Sequence, residues 1–260
     1  MNVLESFSLA GKTALVTGGA GLYGRQIVQA LAEAGAHTYV AARNIAALEE
    51  LAGEYAAQGL TIHPRQFDQG DEASILALRD AVAAERPNID ILVNNAVLRP
   101  VANYEDTGAN FDLSMRVNAT GLFLLTRAVG EVMIRNQRGS IINIGSMKGM
   151  VGPEPANYAG TDMHGWHPDY FFHKGGMITY TMFLASYYGR YNIRCNCLSP
   201  GGFQTPDHPE SFVRRYSEKT CLGRMANSTD LKGSIVYLAS DASAYLTGAN
   251  IPIDGGYTAK

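Results

Sequence analysis

The sequence predicts an α/β fold: a single domain built on a doubly wound parallel sheet with helices on both faces. Three observations carry that prediction. Short apolar runs lacking polar alternation recur along the chain, as expected of strands buried on both sides. Segments with apolar residues at helical spacing separate them. No linker, repeat or low-complexity stretch breaks this rhythm over 260 residues, a length that suits one α/β domain.

Thr13-Ala14-Leu15-Val16-Thr17 is the first apolar run, and it breaks into Gly18-Gly19-Ala20-Gly21. A helical pattern follows from Gly24 to Ala34, with Ile27, Val28 and Leu31 on one face, and Gly35 stops it. Thr38 to Ala42 reads as the second strand, Ile45 to Gln58 as a helix, Thr61 to Phe67 as a strand and Glu72 to Glu85 as a helix. Ile89 to Val93 is the fourth strand, followed by one long helix from Phe111 to Asn136. Ser140 to Ile144 is a strand, a helix begins about Tyr170, and Ile193 to Leu198 is the sixth strand. Ligands of such sheets bind beyond the C-terminal strand ends. The glycine turn, Asn94-Asn95, Ser146 and Pro200-Gly201 all fall there.

Composition excludes some classes of function. A formal net charge of −3 with no basic stripe leaves no footprint for nucleic acid. Cys195, Cys197 and Cys221 are odd in number and form no disulfide framework; Cys195-x-Cys197 lies in an apolar run and reads as core. Met1 to Lys12 does not resemble a signal peptide, and no uninterrupted apolar run reaches the ~18 residues of a membrane span. A cytoplasmic protein with no membrane partner is the expectation.

Gly19-x-Gly21-x-x-Gly24 follows a strand and opens a helix, the context in which this spacing signals a dinucleotide site. Glycines let the backbone approach a pyrophosphate, and the helix N-terminus favours its charge. An acidic residue at the end of the second strand would select NAD by its ribose hydroxyls. Ala42 stands there, followed by Arg43, whose guanidinium can clamp a 2′-phosphate. NADP is therefore expected, with NAD as the alternative.

Tyr170 and Lys174 lie one helical turn apart. A free phenol has a pKa near 10, and a neighbouring ammonium lowers it. Such a pair suits the proton transfer of a carbonyl–alcohol interconversion.

With Thr17-Gly18, Asn94-Asn95-Ala96, Asn118, Ser146, Tyr170, Lys174 and Pro200-Gly201 in this order, the chain resembles the short-chain dehydrogenase/reductase family over nearly its whole length. Leu222-Gly223-Arg224-Met225, Tyr237 to Asp241 and Thr247-Gly248 through Asp254-Gly255-Gly256 extend the resemblance towards classical members of the gluconate 5-dehydrogenase-like and 3-oxoacyl-carrier-protein-reductase-like kind. The resemblance implies a Rossmann-type fold, a nicotinamide cofactor and a catalytic set of Asn118, Ser146, Tyr170 and Lys174. In it Tyr170 is the general acid/base, Ser146 holds the substrate oxygen, Lys174 binds the nicotinamide ribose and Asn118 positions a relay water. Gly18, Gly19, Gly21, Leu22, Tyr23 and Gly24 would surround the pyrophosphate, and Arg43, Asp68 and Gln69 the adenosine end. Asn95, Ala96 and Val97 would border the adenosine ribose, and Pro200, Gly201, Phe203 and Thr205 the nicotinamide. A lid over the substrate is expected at about residues 202–224. Members are commonly tetramers packed through the helices after Asn118 and Tyr170.

Two departures stand out. Leu22 occupies the place of the family's middle glycine. The family also sets its serine and tyrosine closer together, so that Tyr158 falls where the catalytic tyrosine belongs. Yet Asp162 follows it by one turn, and a carboxylate there would raise a phenol pKa. Counting back without a gap from Ile193-Arg194 puts Lys174 and Tyr170 in register. An inserted segment, Ala159 to Asp169, therefore separates Ser146 from Tyr170, and it carries Asp162, His164, Trp166 and His167. Trp166 and His167 are candidates to stack on and bond a sugar, and Arg99 and Lys148 to bind a carboxylate or phosphate, beside Ser146 and Tyr170. His164, His167 and His173 match no zinc spacing, and no metal is expected. The expected function is an NADP(H)-dependent oxidoreductase interconverting a secondary alcohol and a carbonyl on a small polar substrate, a sugar or sugar acid. The alternatives are a 3-oxoacyl thioester reductase, a cofactor-recycling epimerase or dehydratase, and a cofactor-sensing module without turnover.

Overall fold

The computed structural model describes residues 2–260. Its strands are β1 (Thr13–Thr17), β2 (His37–Ala42), β3 (Ile62–Gln66), β4 (Ile91–Asn94), β5 (Gly139–Ile144), β6 (Ile193–Pro200) and β7 (Asn250–Ile253). They form one 7-stranded sheet in the order β3-β2-β1-β4-β5-β6-β7, every pair parallel. The order reverses between β1 and β4, which opens a crevice at the C-terminal strand ends. The α-helices are α1 (Leu22–Glu33), α2 (Ile45–Ala56), α3 (Glu72–Glu85), α4 (Gly108–Met115), α5 (Leu122–Asn136), α6 (Pro168–Tyr188), α7 (Glu210–Lys219) and α8 (Lys232–Ala239).

Side-chain alternation along the buried strands feeds two cores. Ala14, Val16, Ile91 and Val93 pack beneath Ile27 and Leu31 of α1, Leu48 of α2 and Leu238 of α8. Leu15, Leu92 and Ile141 face the other way, against Leu78 of α3, Leu125 and Val129 of α5, and Leu184 of α6. Both faces of the sheet are thus covered, which is why the inner strands β1 and β4 read as apolar runs; the edge strand β3, Ile62–Gln66, is mostly polar.

The fold differs from the sequence expectation in three places. The helix expected over Phe111 to Asn136 is α4 and α5 joined by a π-helical turn, Arg116–Gly121. A π turn opens the i→i−4 ladder and is frequent at functional sites. Gly121 closes it because a Cβ there would lie 2.1 Å from the Gln69 carbonyl oxygen. Second, β7 is a seventh strand; it is a short, half-exposed edge strand containing Pro252, so no apolar run announces it. Helices α7 and α8 also lie in a stretch without strong strand–helix punctuation. Third, β4 begins at Ile91 rather than Ile89. The stretch Gly108–Asn136 is long and apolar enough to cross a membrane by those criteria alone. It contributes Leu125, Val129, Val132 and Met133 to the interior, which accounts for its hydropathy as a core helix.

Candidate active site

A cleft of about 670 Å³ runs along the C-terminal strand ends from the glycine turn to α6. Its first wall is the β1–α1 turn. Gly18 adopts φ +68°, and a Cβ on it would sit 2.8 Å from Ala96 Cα. The Asn95 amide braces the same turn by donating to the carbonyls of Thr17 (3.1 Å) and Gly18 (2.9 Å). The N-cap of α1 is Gly21, which offers no side-chain acceptor, so the first backbone N–H groups of this helix are left for a ligand. Gly18, Gly21, Leu22, Tyr23 and Gly24 line the cleft here. This uncapped, glycine-walled helix end fits the pyrophosphate of a dinucleotide. Leu22 begins the helix and is exposed to the cleft, replacing a glycine without closing the turn. Tyr23 crosses the cleft base, its hydroxyl donating to the Gly201 carbonyl (2.8 Å) and its ring set edge-on to Phe203 (5.3 Å).

The second wall is chemical. Ser146 lies two residues beyond β5 in extended conformation, and its Oγ accepts the Lys148 N–H at 3.1 Å, which frees the hydroxyl proton for another acceptor. The turn Met147–Gly149 lies against α6 so closely that a Cβ on Gly149 would be 2.7 Å from the Lys174 carbonyl oxygen. That contact sets Ser146 beside Tyr170 and Lys174. Lys174 is 3% exposed; its ammonium donates to the Ile144 carbonyl and lies 5.7 Å from the Tyr170 ring centre. The Arg99 guanidinium lies over the same ring at 4.4 Å. Burial opposes ionisation of the Tyr170 phenol, but Lys174, Arg99 and hydrogen bonding with Ser146 and Arg99 outweigh it, so its pKa falls below the ordinary value. Lys174 is itself pushed down, chiefly by burial, against the opposing pull of Tyr170.

Asn118 lies in the π turn, buried behind the cleft wall. Its amide donates to the Leu98 carbonyl (2.7 Å) and to Ser114 Oγ (3.0 Å), and accepts the Leu98 N–H (2.9 Å). The amide is thereby fixed, and the loop after β4 is fixed to it.

Tyr158 stands across the cleft at the end of a 3-10 turn, Pro155–Tyr158. Its ring packs 5.4 Å from Phe212 and under Gly165, where a Cβ would come within 2.9 Å. Burial, then Tyr257, pushes its phenol up. Lys148 points between the two tyrosines, its ammonium 3.4 Å from the Tyr158 hydroxyl and 5.2 Å from the Phe171 ring. Burial lowers the Lys148 pKa.

The inserted segment reaches the cleft through Met163, His164, Gly165 and His167. His167 Nδ1 bonds the Val101 carbonyl at 3.0 Å and stacks on His164 at 4.9 Å. The expected role of Trp166 needs correction: its side chain is 49% exposed and does not line the cleft, so the imidazoles, not the indole, face the substrate side. Gln69 is likewise corrected, for it is buried and donates to the Val117 carbonyl (2.9 Å), closing the π turn rather than a ligand site. Gly19 packs on Val40 behind the turn. Arg43 and Asp68 are exposed beyond the adenosine end; Asp68 accepts from its own loop at Gly70 (2.8 Å). Ala96, Val97, Pro200 and Gly201 line the cleft, whereas Thr205 lies just outside and its N–H donates to His208 Nδ1 (3.2 Å). His208, Phe212, Tyr216 and Met225 complete the wall, and no apolar pattern in the sequence singled them out. Among the described residues no cluster of metal-ligating side chains occurs.

Comparison with known proteins agrees with this geometry. A family model described as enoyl-(acyl carrier protein) reductase matches residues 21–258. The chain is 34% identical to the D-threitol dehydrogenase of Mycolicibacterium smegmatis, covering 100% of this chain and 98% of that one. A short-chain type dehydrogenase/reductase from Mycobacterium marinum superposes with TM-score 0.88 at 33% identity, covering 100% of both chains. A gluconate 5-dehydrogenase from Burkholderia cenocepacia, solved with NADP and tartrate, superposes with TM-score 0.88 at 30% identity, also over 100% of both. The chain belongs to the short-chain dehydrogenase/reductase family. It is an oxidoreductase acting on alcohol and carbonyl groups.

Proposed function

We propose that the chain is an NADP(H)-dependent dehydrogenase that interconverts a secondary hydroxyl and a ketone on a small polyhydroxy substrate bearing a carboxylate. One observation carries the substrate class. Arg99, Lys148 and Lys174 all line the cleft together with His164, His167 and His208, and among the described residues no Asp or Glu does. A half-buried lysine without a carboxylate partner is costly unless a ligand anion completes it. Lys174 is engaged with Tyr170 and the Ile144 carbonyl, and Arg99 with the Tyr170 ring, which leaves Lys148 to meet that anion. The relatives named for threitol and gluconate, and the complex of one of them with NADP and tartrate, support a polyol-acid substrate.

The nicotinamide, when bound, supplies the hydride acceptor or donor. The chain's own residues do the rest. Gly18, Gly21 and the α1 N-terminus would hold the pyrophosphate, and Lys174 the ribose. Ser146 bonds the substrate oxygen and Tyr170 takes or returns its proton. Oxidation needs the Tyr170 phenolate, so its rate rises with pH and levels off above the lowered Tyr170 pKa. Reduction needs the phenol and falls over the same interval.

Arg43, exposed just beyond Ala42, supports NADP over NAD. Helix α7, which brings Phe212 and Tyr216 to the cleft, supports a lid within residues 202–224. A cytoplasmic homotetramer is part of the proposal: Cys195 and Cys197 are unpaired thiols, and Phe123 of α5 and Phe172 and Phe183 of α6 are exposed aromatics that a second copy would cover. The test is an absorbance screen at the reduced-nicotinamide band, crossing NADP and NAD with aldonic and keto-sugar acids, neutral polyols and an acetoacetyl thioester. Turnover with NADP that is fastest on the acids and slower on the neutral polyols is expected; turnover of the thioester alone would overturn the reading.

A further inference from the structure

The catalytic tyrosine has two cations around it. Lys174 approaches from one turn along α6, and Arg99 lies over the ring face from the loop after β4. A flexible arginine holds such a position only if its loop is held. Leu98, the preceding residue, is clamped at both its N–H (2.9 Å) and carbonyl (2.7 Å) by the Asn118 amide. Asn118 donates its other proton to Ser114 Oγ (3.0 Å), and Ser114 donates to Asp169 Oδ2 (2.5 Å). Asp169 is 1% exposed and directly precedes Tyr170. The bonds close a ring: from Tyr170 through Asp169, Ser114, Asn118 and Leu98 to Arg99, and back onto the face of Tyr170.

We propose that Arg99 is a further catalytic residue, stabilising the Tyr170 phenolate alongside Lys174, and that Asp169 is the positioning residue that holds it there through Ser114 and Asn118. This rests on reading Tyr170 as the acid/base. A guanidinium stays charged at every working pH, whereas the buried Lys174 ammonium is weakened by desolvation. Arg99 thus places a second positive charge over the ring. The other groups facing Tyr170 do not replace it. His173, edge-on at 5.3 Å on α6, is held neutral because burial pushes its pKa to about 3. Tyr23 from α1 has its own phenol pushed up, chiefly by burial. Ser146 bonds but carries no charge, and Lys148, from the turn after β5, has its pKa lowered by burial. Asp169 Oδ1 has no partner in the fold, so its carboxylate is anchored through Ser114 alone.

The test reads Tyr170 ionisation directly. The near-ultraviolet titration of wild type minus that of Tyr170→Phe isolates one phenol, and the same subtraction is made in an Arg99→Gln background. The midpoint should rise by about one pH unit or more in Arg99→Gln, equal to a tenfold loss of phenolate at fixed pH below it. Asp169→Asn should raise it less, with NADPH binding and thermal midpoint kept. Oxidation of a neutral polyol should show the same displacement of its pH–rate limb. An unmoved midpoint, with only the KM of carboxylate substrates raised, would make Arg99 an anion anchor and overturn the proposal. A moved midpoint in a protein that turns over no alcohol would sink the dehydrogenase reading instead, leaving the electrostatic pairing intact.

Discussion

Tyr170 and Tyr158 line the same cleft, yet their surroundings drive their phenols in opposite directions. Tyr170 sits on a helix with a lysine one turn on, an arginine over its face and Ser146 at its hydroxyl. Tyr158 ends a 3-10 turn among Phe212, Met163 and Met147, with Lys148 within reach of its hydroxyl. Both have a cation nearby, so proximity to charge does not separate them. What separates them is how many cations converge and whether the local packing is polar or apolar. Beside Tyr170 the electrostatic attraction exceeds the burial cost; beside Tyr158 burial wins. Spacing along the chain, which favours Tyr158, says nothing about either quantity.

The contrast can be broken at each lysine in turn. Lys174→Met should lower turnover by about a thousandfold, the range of a lost acid–base group. It should also carry the rising limb of oxidation to higher pH, measurable as a full pH–rate profile. Lys148→Met should leave that limb in place and raise KM about tenfold for acidic substrates only, as expected of one charge-assisted bond; steady-state kinetics on an acid and a neutral polyol separate the two. Arg43→Asp should lower the preference for NADP over NAD by about tenfold in kcat/KM without touching either tyrosine. An unchanged preference would remove Arg43 from the account.

The smallest effect concerns stability. His173, between Tyr170 and Lys174, is buried with neither ring nitrogen bonded, and its pKa falls from 6.5 to about 3, mainly through burial. The unfolded chain therefore takes up a proton that the folded one refuses. Stability is full above pH 6.5 and declines as pH falls from there towards about 3. Thermal midpoints of His173→Leu should show a shallower acid decline than wild type; an identical slope would contradict this.

Much of this site was legible beforehand for a physical reason. The glycine turn, Ser146 and the Tyr170-Lys174 pair are local patterns, and a local pattern survives in one dimension. The inner strands were legible because burial on both faces leaves them largely apolar; β7, half-exposed on the edge, was not. The π turn could not be read because the six residues Arg116–Gly121 carry no residue-type signal for it, yet it decides where Asn118 sits. Gln69 and Trp166 were misplaced because their partners, the Val117 carbonyl and the solvent, depend on how distant segments meet. The region of Phe212 and Tyr216 was expected as a lid, but the wall that these side chains form with Met225 was hidden for the same cause.

The most direct measurement is single-turnover oxidation in two variants side by side, Tyr170→Phe and Tyr158→Phe, with NADPH binding by fluorescence as the control for folding. Tyr170→Phe should bind cofactor normally and lose at least about a thousandfold in rate, while Tyr158→Phe stays within about threefold of wild type. A silent Tyr158→Phe variant beside an active Tyr170→Phe variant would contradict the account at its centre.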